Sequence, residues 1–262
     1  MFENYLIKNG LAHLPLAKLS TDICKSFLDN IILEKLQSNN TYNSYITLFK
    51  SYFDVYVCQK KVIINPFAPF KKLAKQSTSA AYFNKDLISK IKAKATVQDT
   101  QLWLFIQFIY YCFIRPKELR DLQIKHIKFD TQQICIPALI SKNKKTGYVA
   151  IPTILYESIK LWEGLNENYF LFGKNNAPSE VQIGINDMKN RHRKILNELQ
   201  IGGDYKLYGW KHTGAVNFTR AGGNLKDLQM QLRHHSLDQV NQYMASMMAV
   251  ESDFIKNSFP SI

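Results

Sequence analysis

The sequence predicts a mainly α-helical protein with a small antiparallel β-sheet, of the α+β class and built in two units. Three observations predict it. Apolar residues recur at helical spacing through most of the chain. Two prolines, then small and polar residues, interrupt that pattern near residue 78. Between residues 128 and 152 the pattern switches to short alternating runs separated by polar turns.

Residues 1–76 form the first expected unit. In TDICKSFLDNIILEKL the apolar positions Ile23, Phe27, Ile31, Ile32 and Leu36 share one helical face, and Thr21 is the expected N-cap. In NNTYNSYITLFKSYFDVYVCQK, residues Tyr42, Tyr45, Ile46, Phe49, Phe53, Val57 and Cys58 define a second amphipathic helix. Its opposite face carries Asn43, Ser44 and Lys50, short polar groups beside a cation. Pro66 and Pro69 break the pattern, and the stretch from Gln76 to Ala81 is small and polar, so a linker is expected at 77–83.

Residues 84–262 form the second unit. NKDLISKIKAKA reads as a helix. LWLFIQFIYYCFI, Leu102 to Ile114, is the most apolar run; at 13 residues it is too short to span a bilayer and reads as a buried helix. KFDTQQICIPALI and KTGYVAIP alternate like the strands of a small antiparallel sheet. TILYESIKLWEGL, INDMKNRHRKILNEL, WKHTGAVNFTRAG and NLKDLQMQLRHHS are helical again, with Gly222-Gly223 separating the last two.

Composition narrows the function classes. Of 262 residues, 46% are hydrophobic and 21% charged, which fits a globular chain. Lys and Arg number 34 against 21 Asp and Glu, a formal charge of +13, so a polyanion such as DNA or RNA is the favoured partner. Cys24, Cys58, Cys112 and Cys135 form no C-x-x-C pair and have no histidine at zinc-finger spacing. They suit a reducing cytoplasm. No structural metal is expected, and MFENYLIKNG lacks a signal-peptide hydrophobic region.

Four motifs carry chemistry. FIRPKEL places Arg115 where the buried helix ends; a guanidinium offers a planar fork of donors to two phosphate oxygens. Taken alone, Arg115 would read as a helix C-terminal cap. SKNKKTGYVAIP concentrates Lys142, Lys144 and Lys145 in a turn. YGWKHTG supplies Tyr208, Lys211 and His212. LRHHSLDQVNQYM sets Tyr243 nine positions after His234. The set combines cations and hydrogen-bond donors for a phosphate with a hydroxyl able to attack it.

The set and its order resemble the tyrosine recombinase (phage integrase) family, whose members cut and rejoin DNA strands. The resemblance covers nearly the whole chain, and the specific motifs lie in its second half. It implies a helical core-binding, DNA-binding domain at 1–76 and a catalytic domain at 84–262. It implies Tyr243 as nucleophile, Arg115 as the first arginine, Lys145 as general acid and His234 as a donor to a non-bridging oxygen. Glu118 matches the acidic residue of the first box, expected to orient its basic neighbours. The second box normally reads His-x-x-Arg-His; here Tyr208 stands at the first histidine and Lys211 at the arginine. The third normally reads Leu-Gly-His-Ser; here Arg233 takes the glycine position and His235 the serine. Thr41, Asn43, Lys50, Lys142 and Lys144 are expected DNA contacts. The chain is expected to start within the first helix of the core-binding domain, with any further N-terminal arm-binding domain absent or removed.

The resemblance further implies double-stranded DNA as partner, no membrane, no cofactor, and a homotetramer working through a Holliday junction in a bacterial or phage cytoplasm, at the nucleoid. The methionine-rich tail after Tyr243 would dock on a neighbouring protomer; packing on its own domain is the alternative. Two other functions fit the same residues: strand cleavage like that of a type IB topoisomerase, and DNA binding by a degenerate relative.

Overall fold

The computed structural model describes residues 1–34, 37–74 and 81–245. The chain divides into two compact units, Met1–Thr78 and Ser79–Ile262. Most of the expected linker, the helix position Leu36 and the tail beyond Ala245 lie outside the described residues.

The first unit holds α1 (Phe2–Lys8), α2 (Thr21–Asp29), which runs into a π-helical turn at Asn30–Glu34, and α3 (Asn39–Cys58). The cap of α2 is Ser20, one residue before the expected Thr21. Ser20 is extended and its hydroxyl accepts the Ile23 N–H, whereas Thr21 is already helical. Phe27, Ile31, Ile46, Phe53 and Phe67 are buried together. Phe2 reaches Phe27 at 4.6 Å between ring centroids, and Phe49 stacks on Phe67 at 4.8 Å. Each such side chain contributes about 1.5–3 kcal/mol by leaving water. The proline-containing segment is strapped along α3. Asn65 donates to the Lys50 carbonyl and to Asp54, and accepts from Phe67 N–H.

The second unit is organised around α5 (Thr100–Cys112), whose Leu102, Phe105, Ile106, Phe108, Ile109 and Cys112 are buried. It follows α4 (Lys85–Gln98) and leads to α6 (Pro116–Asp121). The sheet is three-stranded, with β1 (Ile127–Lys128), β2 (Gln133–Ile136) and β3 (Gly147–Ala150) in that order, all antiparallel. Ile134 faces Val149, so both buried positions of that pair lie on the core side. Then come α7 (Thr153–Ile159), α8 (Asp187–Glu198), α9 (Gly209–Arg220), α10 (Leu225–Leu232) and α11 (Leu237–Ala245).

Two features set the position of the later helices. Asp99 caps α5 by accepting Leu102 N–H, and it also accepts two donors from Arg191 of α8. Gly214 lets α9 touch α5: a Cβ there would stand 2.1 Å from the Tyr110 carbonyl. Any side chain at that position would push α9 away from the end of α5. Among the described residues no helix is long and apolar enough to cross a membrane.

Burial leaves four histidines hard to protonate. His126, His192, His212 and His234 are each depressed to about 4 from 6.5, chiefly by desolvation. His192 also accepts the Trp210 indole N–H at 3.0 Å. Their neutral forms are favoured in the folded state. The stability they contribute is therefore complete above pH 6.5 and lost as pH falls toward 4. We expect melting temperature to fall clearly from pH 6.5 to 5. Thermal melts in buffers of matched ionic strength check this, and equal values at pH 7 and pH 5 would contradict it.

Candidate active site

The site begins at the C-terminus of α5. Phe113 adopts a left-handed conformation, φ 52° and ψ 28°, which ends the helix at Cys112, two residues before the apolar run ends at Ile114. Arg115 follows in extended conformation as the residue before α6, and Pro116 fits the first helical position because it has no N–H to lose. Three residues on, Glu118 turns back. Its carboxylate accepts the Arg115 backbone N–H at 3.2 Å and the Arg115 guanidinium at 3.1 Å.

Glu118 is almost fully buried and holds two further groups. The backbone N–H of Lys142, on the turn between β2 and β3, donates to it at 3.0 Å. The guanidinium of Arg233 donates at 2.5 Å. Burial alone would raise the Glu118 carboxyl; the bonds from Arg233 and Lys142 and the charges of Arg233 and Arg115 outweigh it and hold it below its ordinary value.

Helix α9 brings the next groups because Gly214 seats it against α5. Lys211 is 1% exposed, and its ammonium donates to the Phe113 carbonyl at 2.7 Å. Burial, then the charges of Arg115 and Arg233, push the Lys211 amine well below its ordinary value. Tyr208 stands just before α9, 36% exposed, and burial raises its phenol while the nearby Arg115 charge opposes that. Its ring lies edge-on to His212 at 5.0 Å.

The last groups come from α10 and α11. Arg233 ends α10 in left-handed conformation, φ 57° and ψ 43°, which costs a non-glycine residue about 1–2 kcal/mol. His234 follows. Its ring meets the Tyr243 ring edge-on at 5.6 Å, and His212 lies on Tyr243 at 5.1 Å. His235 is exposed. The Tyr243 phenol is raised above its ordinary value, first by burial and then by Tyr208, with Arg115 opposing.

The structure thus gathers Arg115, Tyr208, Lys211, His234 and Tyr243. Lys142 joins them through its backbone, while Lys144 and Lys145 are exposed on the same turn. In the first unit, Asn43 is a correction. Expected on the outward face of α3, it is buried, and its amide both donates to and accepts from the backbone of Leu73. Its hydrogen-bonding edge serves the strap along α3. Lys50 donates to the Ala68 carbonyl at 2.8 Å, and Thr41 is half-buried beside Ser38. Sequence reasoning missed Arg233 as a member of the cluster. The signal was a long basic residue at a position that favours glycine.

Beside Tyr208 and Pro116 opens a cleft of about 710 Å³, lined by Lys117, Arg120, Lys189, Arg193 and Lys206 with Asp204. These cations share its walls with apolar residues such as Ile183, Met188 and Leu196, and Arg120 and Lys206 are tied to Asp121 and Asp204.

The Phage integrase family matches residues 82–249, more than half of the chain. Tyrosine recombinase XerC of Staphylococcus haemolyticus (strain JCSC1435) is 21% identical over 232 residues, 84% of this chain and 74% of the relative. Tyrosine recombinase XerC of Staphylococcus carnosus (strain TM300) is 18% identical over 244 residues, 88% of this chain and 79% of the relative. Among solved structures, the Tn1549 transposon integrase in complex with a circular intermediate DNA shares the fold at a TM-score of 0.73 and 14% identity, covering 98% of this chain and 90% of that one. A lambda integrase dimer bound to a COC' core site does so at 0.71 and 15% identity, covering 100% and 90%. The match spans every residue of the cluster from Arg115 to Tyr243, and the chain belongs to the phage integrase family.

Proposed function

We propose that the chain is a site-specific DNA recombinase that cuts and rejoins duplex DNA through Tyr243. The observation that carries this is the packing of Tyr243 against His234 and His212 beside a buried cluster in which one carboxylate, Glu118, faces two guanidiniums and an amine. A buried excess of cation over carboxylate is a site for an anion. The anion that a phenol can attack within a basic DNA-binding chain is a phosphodiester.

Tyr243 gives up its phenolic proton to water as its oxygen attacks phosphorus. The bond from phosphorus to the 5′-oxygen breaks, and the departing oxygen takes a proton from Lys145. A 3′-phosphotyrosine remains, and it retains the energy of the broken bond. A free 5′-hydroxyl from a second duplex then attacks it, releases Tyr243 and completes one strand exchange. Arg115, Lys211, Tyr208 and His234 surround the phosphate and stabilise the charge that builds up on its oxygens. The phenol is raised while buried in the free protein, so its deprotonation depends on the arrival of the phosphate and its cations.

Affinity comes mostly from phosphate contacts. Thr41, Lys50, Lys142, Lys144 and the lysines and arginines that line the cleft supply them. Two rounds of exchange in a homotetramer pass through a Holliday junction, in the cytoplasm and on the nucleoid. The tail beyond residue 245 joins neighbouring protomers. Simple strand cleavage without exchange is the competing function. Incubating the protein with two labelled duplexes separates them: recombinant strands and junctions are expected, whereas relaxation of supercoils without exchange would contradict the recombinase.

Lys145 and Lys142 compete for the role of acid, because Lys142 is the lysine fastened to Glu118. Lys145→Ala is expected to slow cleavage about 10²-fold on a normal 5′-oxygen. On a 5′-bridging sulfur, which leaves without an acid, the loss should nearly vanish. Single-turnover cleavage of both substrates checks this. Sulfur rescue of Lys142→Ala in place of Lys145→Ala would move the role to Lys142.

A further inference from the structure

We propose that Arg233 is a second guanidinium of the phosphate site, touching a non-bridging oxygen of the scissile phosphate across Glu118 from Arg115. This rests on the recombinase reading above. Four observations carry it.

First, the backbone is held in a conformation that a long side chain does not favour, φ 57°, at the end of α10. A glycine would sit there without strain. The arginine is kept in place by what its side chain does.

Second, room is made for that side chain. Gly147, the first residue of β3, lies against it, and a Cβ on Gly147 would stand 2.8 Å from Arg233 Cδ. The strand that follows the lysine turn is thus cleared for the arginine.

Third, the guanidinium is only partly used. One nitrogen donates to Glu118, and the side chain is 10% exposed. Among the described residues its Nε is buried with no hydrogen-bond partner. An N–H so placed lacks the acceptor that its burial demands. For a guanidinium already paired once, in a cluster with more cations than carboxylates, the matching acceptor is an oxyanion.

Fourth, Arg233 sits among the groups already assigned to the phosphate. Glu118 offers one carboxylate edge to Arg115 and the other to Arg233. The charge of Arg233 acts on Tyr208, Lys211 and His234. Lys211 is buried, donates to the Phe113 carbonyl and brings the cluster a single point charge. The planar fork that a lysine cannot provide at position 211 is supplied from position 233. The two departures from the usual boxes offset each other.

The test uses a nicked duplex obtained from a randomised library by covalent capture with the wild-type protein. Single-turnover adduct formation is measured for wild type, R233A and R233K, on the normal phosphate and on a methylphosphonate, which lacks one charged oxygen. Thermal melts verify that each variant is folded. R233A is expected to lose about 10²-fold or more on the phosphate. On the methylphosphonate it should fall within about threefold of wild type, since the charge that needs Arg233 is gone. R233K should recover only part of the loss. A second variant, R233G with K211R, returns the fork to position 211 and is expected to cleave at least about tenfold faster than R233G alone. Equal losses of R233A on both substrates, or a double variant no faster than R233G, would overturn the assignment while leaving the recombinase intact. Failure of the wild type to capture any duplex would overturn the recombinase reading, and this assignment with it.

Discussion

Tyr243→Phe should abolish the covalent protein–DNA adduct while leaving duplex binding within about twofold of wild type. The substitution removes one oxygen. The ring keeps its packing against His212 and His234, so the fold and the binding face are retained. Binding draws on many phosphate contacts spread over a +13 chain, and the phenol is at most one of them. Cleavage, however, needs an oxygen nucleophile at that place, and nothing else in the ring can attack. The expected loss is complete within the range of a gel assay, at least about 10⁴-fold. SDS-resistant adduct and duplex affinity, measured side by side, check both halves. Adduct persisting in the variant would remove Tyr243 from the chemistry.

Glu118→Ala should be the most damaging change to the fold of the site. The carboxylate is almost fully buried and accepts from Arg115 twice, from Lys142 N–H and from Arg233. Removing it leaves two guanidiniums facing one another beside a buried amine. Breaking a buried pair by deleting one partner costs about 3–5 kcal/mol. For a unit of this size each kcal/mol shifts the melting temperature by about 2–4 °C. A drop of roughly 6–20 °C is expected, together with loss of cleavage, because Arg115 and the lysine turn lose their shared anchor. High phosphate or sulfate should restore part of the melting temperature by supplying a replacement anion. A variant that melts like the wild type would show that Glu118 does not hold the cluster.

Much of this was legible in the sequence because the chemistry-bearing residues lie at helix ends and in one hairpin, where local spacing fixes who can meet whom. Arg115 could be placed because an apolar run ends there, and Tyr243 because nine residues separate it from His234. The alternation in residues 128–152 marked the sheet, though only Gln133–Ile136 and Gly147–Ala150 became strands of four residues.

What escaped depends on contacts between distant segments. Asn43 looked outward by its polarity, but residues 71–74 fold back and take both edges of its amide. Lys211 is placed by its motif at the second arginine position, but its depth is not; Gly214 draws α9 onto α5 and buries it against Phe113. Arg233 read as a blemish in a glycine position, since neither its pairing with Glu118 nor the space left by Gly147 shows in local spacing. The stretch 163–186 carries no clear period because its pairing is limited to isolated bridges such as Phe170 with Ser179.

The central claim is that Tyr243 becomes esterified to a 3′-phosphate. The most direct measurement is peptide mapping of the wild-type adduct captured on a nicked duplex, with the DNA end released on cleavage identified in the same reaction. The account predicts one modified peptide, carrying the nucleotide on Tyr243, and a free 5′-hydroxyl on the released strand. Modification of another residue, or a released 5′-phosphate, would contradict it.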